Sequence, residues 1–64
     1  MIQISLEAAR VNAKLTQDEA ANRIGVTKQT LLNWEKNRTT PTIKQCRVIE
    51  QVYGIPLENI FFVH

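Results

Sequence analysis

Two helix-like segments in the first half of the chain are separated by only three residues, Gly25-Val26-Thr27. The spacing of apolar and polar residues predicts helices over residues 17–24 and 28–37, on either side of this connection. A connection this short makes two helices cross steeply, at about 90–120°. Ala21 is small enough for a close crossing, and Gly25 suits a turn that needs positive φ. The pattern predicts a helix-turn-helix, with an ordinary helical hairpin as the alternative.

The rest of the chain also carries helix signals, whereas strand signals are weak. Residues preferred as helix N-caps precede each of the first four predicted helices; they are Ser5, Thr16, Thr27 and Thr42. Glu19 follows Thr16 by three residues, which predicts a capping box. The 64 residues are therefore expected to form one all-α domain (1–64) of five short helices.

The last two predicted helices complete the expected core. The fourth begins after Thr42, ends at Gly54, and is expected to turn five residues inward: Ile43, Cys46, Ile49, Val52 and Tyr53. A fifth, short helix is expected to start at Ile55-Pro56. Cys46 and Trp34 are interpreted as core residues, since burial is common for a lone thiol and for an aromatic ring on an apolar face.

The net charge of +2 is concentrated in the middle of the chain. Residues 26–47 carry five basic residues and one acidic residue, whereas the remaining residues carry three basic and five acidic ones. Such a basic segment is either a solvated face or a surface for an anionic partner.

Several classes of protein are disfavoured by composition. One Cys and one His are too few for a disulfide scaffold or a zinc finger. No apolar stretch approaches the ~18 residues of a membrane-spanning helix, and the N-terminus does not resemble a signal peptide. We therefore expect a cytoplasmic protein with no membrane partner. No plausible pair of catalytic groups is found, so an enzyme is not expected.

At the level of individual motifs, the sequence resembles the Cro/CI-type (XRE-like) helix-turn-helix family of phage and bacterial regulators, from Leu6 to Phe61. The matching residues are Leu15-Thr16-Gln17, Ala21, Ile24-Gly25-Val26-Thr27, Leu31, Trp34-Glu35, Asn37-Arg38, Pro41-Thr42 and Tyr53-Gly54-Ile55. The sequence departs from the family pattern at Ala20, Cys46, Glu50 and Pro56. The resemblance implies a compact five-helix, lambda-repressor-like DNA-binding domain in which helices 2 and 3 form the helix-turn-helix.

In this family the third helix lies in the major groove of DNA, with its N-terminal residues toward the base edges. By position, the resemblance implies base contacts from Lys28, Gln29 and Asn33, with a further contact from Thr30. Lys donates to guanine, and Gln or Asn can form a two-bond pair with adenine. The alternative for each is a solvated polar residue.

The resemblance also implies phosphate contacts, which fix the register of a protein on DNA without reading sequence. The resemblance implies these contacts from Gln17, Thr27, Asn37 and Arg38. Lys36, Lys44 and Arg47 are looser candidates, for which the alternative is an effect through the electrostatic field without direct contact. The Thr27 hydroxyl has a competing role, because it is also the natural N-cap of the third helix.

Arg10 and Glu35 are two charged residues on faces that should point inward. Lone buried charges are costly, so two of opposite sign suggest an ion pair, and the family resemblance implies the same salt bridge. The alternative is that each side chain reaches water separately.

The segment Ile60-Phe61-Phe62-Val63 is unusually apolar. Members of the family commonly dimerise near the last helix. A two-fold contact is therefore expected at or near Ile55, Leu57, Glu58, Phe62 and Val63. In the alternative, Phe62 and Val63 fold back on the core.

Together these expectations describe a sequence-specific regulator of transcription, a Cro-like phage or bacterial repressor that binds double-stranded DNA. It would bind a palindromic operator as a homodimer, with half-sites about one helical turn, ~34 Å, apart. No cofactor, metal, catalytic residue or small-molecule effector is implied. The alternatives are the DNA-binding antitoxin of a toxin–antitoxin pair and a helix-turn-helix domain used for protein interaction.

Overall fold

The computed structural model describes residues 3 to 61. In this part of the chain, four α-helices pack around one core, and a two-stranded parallel sheet pairs residues 4–5 with residues 60–61. The elements are β1 (Ile4–Ser5), α1 (Leu6–Asn12), α2 (Gln17–Ile24), α3 (Lys28–Glu35), α4 (Ile43–Tyr53), a 3-10 helix (Leu57–Asn59) and β2 (Ile60–Phe61). The predicted all-α class is confirmed.

All four predicted N-caps form. In each, the side-chain oxygen of the cap accepts a hydrogen bond from the backbone N–H three residues later, at Ser5, Thr16, Thr27 and Thr42. Glu19 completes the predicted capping box at Thr16, and Gln45 completes a second one at Thr42. These local bonds fix where the helices begin, because they satisfy amides that a helix leaves without partners.

The core is built from one face of every helix. Leu31 of α3 and Ile49 of α4 are fully buried, with Trp34 and Tyr53 almost so. Ile43 was expected to face inward, but it is 76% exposed. It occupies the first position of α4, whereas burial on this helix begins one turn later at Cys46.

The C-terminal part differs most from expectation. The expected fifth helix is a 3-10 helix of three residues, whose first N–H, from Leu57, donates to Glu50 Oε2 at 2.7 Å. The chain then becomes extended, and Ile60 pairs with Ile4 in a parallel register. Glu50, one of the departures from the family pattern, therefore holds the start of this last turn.

Helix α3 ends at Glu35, two residues before the expected end at Asn37. Asn37 adopts a left-handed conformation with φ 60°, which stops the helix. The following N–H, from Arg38, donates to the Asn33 carbonyl at 2.9 Å. The polar loop after α3 is thus closed onto the helix by backbone hydrogen bonds.

Tyr53 is 5% exposed, and its hydroxyl has no hydrogen-bond partner within the described part of the chain. Burial, and then the charge of Glu35, raise the pKa of Tyr53 to about 12, although the charge of Arg10 opposes the shift. The unfolded value is about 10, so the unfolded chain releases this proton first as pH rises. The stability linked to Tyr53 is therefore complete below about pH 10 and is lost as pH approaches the folded value.

Replacing Tyr53 by Phe should remove this alkaline sensitivity. Near neutral pH, Tyr53→Phe should leave the free energy of unfolding unchanged or raise it by up to about 1 kcal/mol, because an unpaired buried hydroxyl is lost. Above pH 10, its stability should fall less steeply than that of the wild type. Urea unfolding followed by Trp34 fluorescence over a pH series measures both effects, and parallel pH profiles would contradict the prediction.

Candidate nucleic-acid interface

The connection between α2 and α3 is held by backbone hydrogen bonds. Gly25, in the left-handed conformation with φ 91°, and Val26 both donate their N–H groups to the Ala21 carbonyl at 2.9 Å. Thr27 then caps α3. Because Ala21 is also buried in the core, the two helices form one unit with a tightly constrained turn. The predicted helix-turn-helix is confirmed.

Helix α3 has a buried face and a polar outer face. Leu31 and Trp34 are buried, whereas Lys28 and Gln29 are exposed and Thr30 and Asn33 are half-buried. The four residues expected to contact bases therefore all remain at least partly accessible on the one helix. Several accessible hydrogen-bonding side chains on one helix, with the half-buried Leu32 among them, form the kind of surface that can read the major groove.

Several of these polar groups bond to one another. Gln29 Nε2 donates to Asn33 Oδ1 at 3.1 Å. The Thr27 hydroxyl accepts from the Thr30 N–H at 3.1 Å and lies 2.9 Å from the Thr30 hydroxyl. Thr27 is thus the N-cap of α3, as expected. A phosphate contact from Thr27 stays a prediction.

Lys28 has a neighbour that sequence reasoning did not pair with it. Its Nζ lies 3.7 Å from Asp18 Oδ2 of α2, and the two side chains are 56% and 76% exposed. Exposed pairs of this kind contribute about 0–1 kcal/mol, so Lys28 can exchange this partner for another at little cost. The pair crosses the turn between the two helices, and no local spacing rule predicts such a contact.

Behind the outer face lies a network of buried charges. Arg10 Nε donates to Glu35 Oε2 at 2.7 Å, and the two side chains are 11% and 3% exposed. Arg10 Nη1 also donates to the Leu15 carbonyl at 2.8 Å, and Glu7 lies 3.9 Å from Nη2. The structure therefore brings together the two residues expected to form an ion pair.

Gln17 joins this network from the first turn of α2. Its Nε2 donates to Glu35 Oε1 at 3.2 Å, and the residue is half-buried. The amide side chain expected to contact a phosphate is thus anchored to the end of α3. The N-terminus of α2 beside it, with its positive dipole end, remains a suitable place for an anion.

The other expected phosphate contacts lie in the loop after α3 and at the start of α4. All four of these side chains are exposed: Lys36, Asn37, Arg38 and Lys44. The acidic residue of the basic segment, Glu35, is buried against Arg10 and presents no charge to solvent. The positive charge of residues 26–47 is therefore not neutralised on the surface by an acidic residue of the same segment.

The expected dimer contact is only partly described. Ile55 and Leu57 are half-buried and Glu58 is exposed, with its carbonyl accepting from Gln3 Nε2 at 3.0 Å. Phe62 and Val63 lie outside the described residues. Between residues 3 and 61, no cluster of three or more potential metal ligands is found, and no helix is long and apolar enough to cross a membrane.

These features define a helix-turn-helix domain with a polar, basic outer surface, and comparison with known proteins agrees. A family model described as helix-turn-helix matches residues 6–60. The chain is 33% identical over 60 residues to the transcriptional repressor RstR of the cryptic phage CTXphi from Vibrio cholerae. That alignment covers 94% of this chain but only 54% of RstR, so the chain spans about half the length of that relative.

Archaeal relatives are covered more completely. An HTH-type transcriptional regulator of Methanocaldococcus jannaschii is 34% identical over 56 residues, which are 88% of this chain and 85% of that protein. Another, of Archaeoglobus fulgidus, is 35% identical over 52 residues, covering 81% and 73%. The chain belongs to the XRE-type helix-turn-helix family, a family of DNA-binding regulators of transcription and not of enzymes.

The Arg10–Glu35 pair should be important for stability. Glu35→Ala should lower the free energy of unfolding by about 3 kcal/mol, because it leaves the Arg10 guanidinium buried without a counter-charge. Removing both partners, in Arg10→Ala with Glu35→Ala, should cost less than the sum of the single changes.

Glu7→Ala provides a matched control, because Glu7 approaches the same guanidinium from an exposed position. It should leave the melting temperature nearly unchanged. Thermal unfolding followed by circular dichroism compares the variants. A Glu35→Ala protein that melts with the wild type would show that the buried pair contributes no net stability.

Proposed function

We propose that this protein binds a specific duplex DNA sequence by inserting the outer face of α3 into the major groove. The observation that carries the proposal is the accessible polar face of α3, bordered by exposed basic residues. According to this proposal, base edges are contacted by four side chains of α3: Lys28, Gln29, Thr30 and Asn33. Lys28 donates to guanine acceptors, and the Gln29 and Asn33 amides form hydrogen bonds with adenine. The Thr30 methyl can contact the thymine methyl.

The phosphate contacts in this proposal surround that face. They come from the start of α2, the turn, the loop after α3 and the start of α4, through Gln17, Thr27, Asn37, Arg38, Lys36 and Lys44. Lys44 lies in the first turn of α4, where a cation opposes the helix dipole. A phosphate beside it would compensate for that unfavourable placement. Burial of Glu35 supports the proposal, since an exposed carboxylate here would repel the DNA backbone.

The proposed operator is palindromic and is bound by a homodimer, with half-sites about 34 Å apart. The two-fold contact is proposed at Ile55, Leu57 and Glu58, together with the apolar Phe62 and Val63. The half-buried apolar side chains of Ile55 and Leu57 support this assignment, because apolar surface left accessible on a small domain often marks an interface.

The proposed regulatory outcome is repression in the cytoplasm. In this proposal, the bound protein acts by occupying DNA that the polymerase needs. The similarity to a protein named as a phage transcriptional repressor supports this outcome. No effector or cofactor is included in the proposal.

Two substitutions separate base reading from backbone binding. A preferred duplex is first selected from random sequences with the wild-type protein. Gln29→Ala should then lose about 1–3 kcal/mol of discrimination at one base position. Arg38→Ala should weaken binding to all duplexes similarly and reduce the salt dependence by about one phosphate contact. Fluorescence anisotropy over a salt series measures both, and variants that bind as the wild type does would refute the assigned roles.

The proposed dimer is tested by measuring the mass of the protein–DNA complex in solution. Sedimentation of the protein with a palindromic duplex should show two chains per duplex, and Leu57→Lys should reduce this to one chain, since a buried charge destabilises an apolar contact. Lys on the outer face of α1, in Val11→Lys, is the control, because Val11 is 60% exposed and outside the proposed contact. A single chain per duplex at high wild-type concentration would reject the dimer.

A further inference from the structure

Gln29 and Asn33 lie one helical turn apart on the outer face of α3 and are directly bonded. Gln29 Nε2 donates to Asn33 Oδ1 at 3.1 Å. Gln29 is exposed, and an exposed Gln side chain with several rotatable bonds loses considerable conformational entropy when it is fixed against a base. A hydrogen bond formed before DNA arrives removes part of that cost.

Asn33 is suited to be the fixed member of this pair. It is half-buried, and its backbone carbonyl accepts from the N–H groups of Arg38 at 2.9 Å and Thr39 at 3.5 Å. These bonds tie Asn33 to the loop that closes α3. The backbone of Asn33 is therefore fixed by the fold, and its half-buried side chain has less freedom than the exposed side chain of Gln29.

The chemistry of the two amides assigns them different roles. A Gln side chain has two N–H bonds and one carbonyl oxygen. If Gln29 donates the N–H that points away from its own carbonyl, the remaining N–H and Oε1 stay side by side. Those are the two groups that match adenine N7 and the adenine N6 amino group in the major groove.

The same bond changes what Asn33 can offer. Because Asn33 Oδ1 accepts from Gln29 Nε2, one of its two lone pairs is already used, and Asn33 has less capacity than a free amide for a two-bond pair with a base of its own. Its Nδ2 group keeps only donor capacity. This revises the separate base contact proposed above for Asn33, which here acts through Gln29 as a positioning residue.

We infer that Gln29 and Asn33 read one A·T base pair as a single unit, in which Asn33 orients the Gln29 amide for adenine. This inference depends on the proposed function, because it assigns the specificity of the same DNA-binding face. A single unit can be distinguished from two residues that each recognise a base. In a single unit, substitutions of Gln29 and Asn33 change the preference at the same base position, and their effects are not additive.

The test starts from the duplex selected by the wild-type protein and measures the preference for adenine over the other bases at each position. Gln29→Ala and Asn33→Ala should lose that preference at the same position, about tenfold for Gln29→Ala. The double variant should lose no more than Gln29→Ala alone. A loss at a different position for Asn33→Ala, multiplying with that of Gln29→Ala, would overturn the inference.

Two controls separate positioning from a general effect on folding. Asn33→Asp keeps an oxygen acceptor for Gln29, so it should retain the preference at this position while its negative charge weakens binding to every duplex. If Asn33→Asp loses the adenine preference as Asn33→Ala does, the proposed role is wrong. Asn22→Ala, an exposed Asn on α2, should leave all preferences unchanged.

A measurement without DNA tests the bond itself. The Gln29 side-chain N–H resonances of the free protein should shift in Asn33→Ala and remain near their wild-type positions in Asn22→Ala. Unchanged resonances in Asn33→Ala would contradict the inference. If the wild type selects no sequence from random DNA, the proposed function fails as well, which distinguishes that outcome from a failure of the Gln29–Asn33 unit alone.

Discussion

The position of α3, the helix proposed to face DNA, depends on one buried ion pair. Arg10 from α1 and Glu35 from the end of α3 meet at 2.7 Å, and neither charge could remain buried without the other. The same carboxylate accepts a hydrogen bond from Gln17 at the start of α2, and the guanidinium donates to the Leu15 carbonyl. One pair of charges thus ties three helices and the loop between the first two into a fixed arrangement.

This arrangement has an electrostatic consequence for the surface. The acidic residue of the basic segment is used inside the protein, whereas Lys28, Lys36 and Arg38 remain exposed. The exposed pair between Lys28 and Asp18 is weak enough to be exchanged, unlike the buried pair. Structural charges and the charges proposed to contact DNA are therefore separated by burial, and substitutions in the two groups should have different effects on stability and on binding.

The features that could be predicted from the sequence are those held by interactions between residues close together in the chain. The helix starts, the Gly25 turn and the helix-turn-helix were predictable, because caps and turns depend on residues three or four positions apart. The parallel pairing of Ile4 with Ile60 was not, since two-residue strands have no periodic signal and their partners are distant in sequence. In the candidate site, spacing placed Gln29 and Asn33 on one face, but the Lys28–Asp18 contact required the three-dimensional fold.

The outer face of α3, held in place by the buried network, is the surface proposed to contact DNA. Titration of the ¹⁵N-labelled protein with its selected duplex, followed by backbone amide chemical shifts, tests this most directly. The largest changes should occur at residues 27–33, at residues 36–38 and in the first turn of α2. Largest changes on the outer face of α1 or near residues 55–60, with α3 unaffected, would contradict the claim.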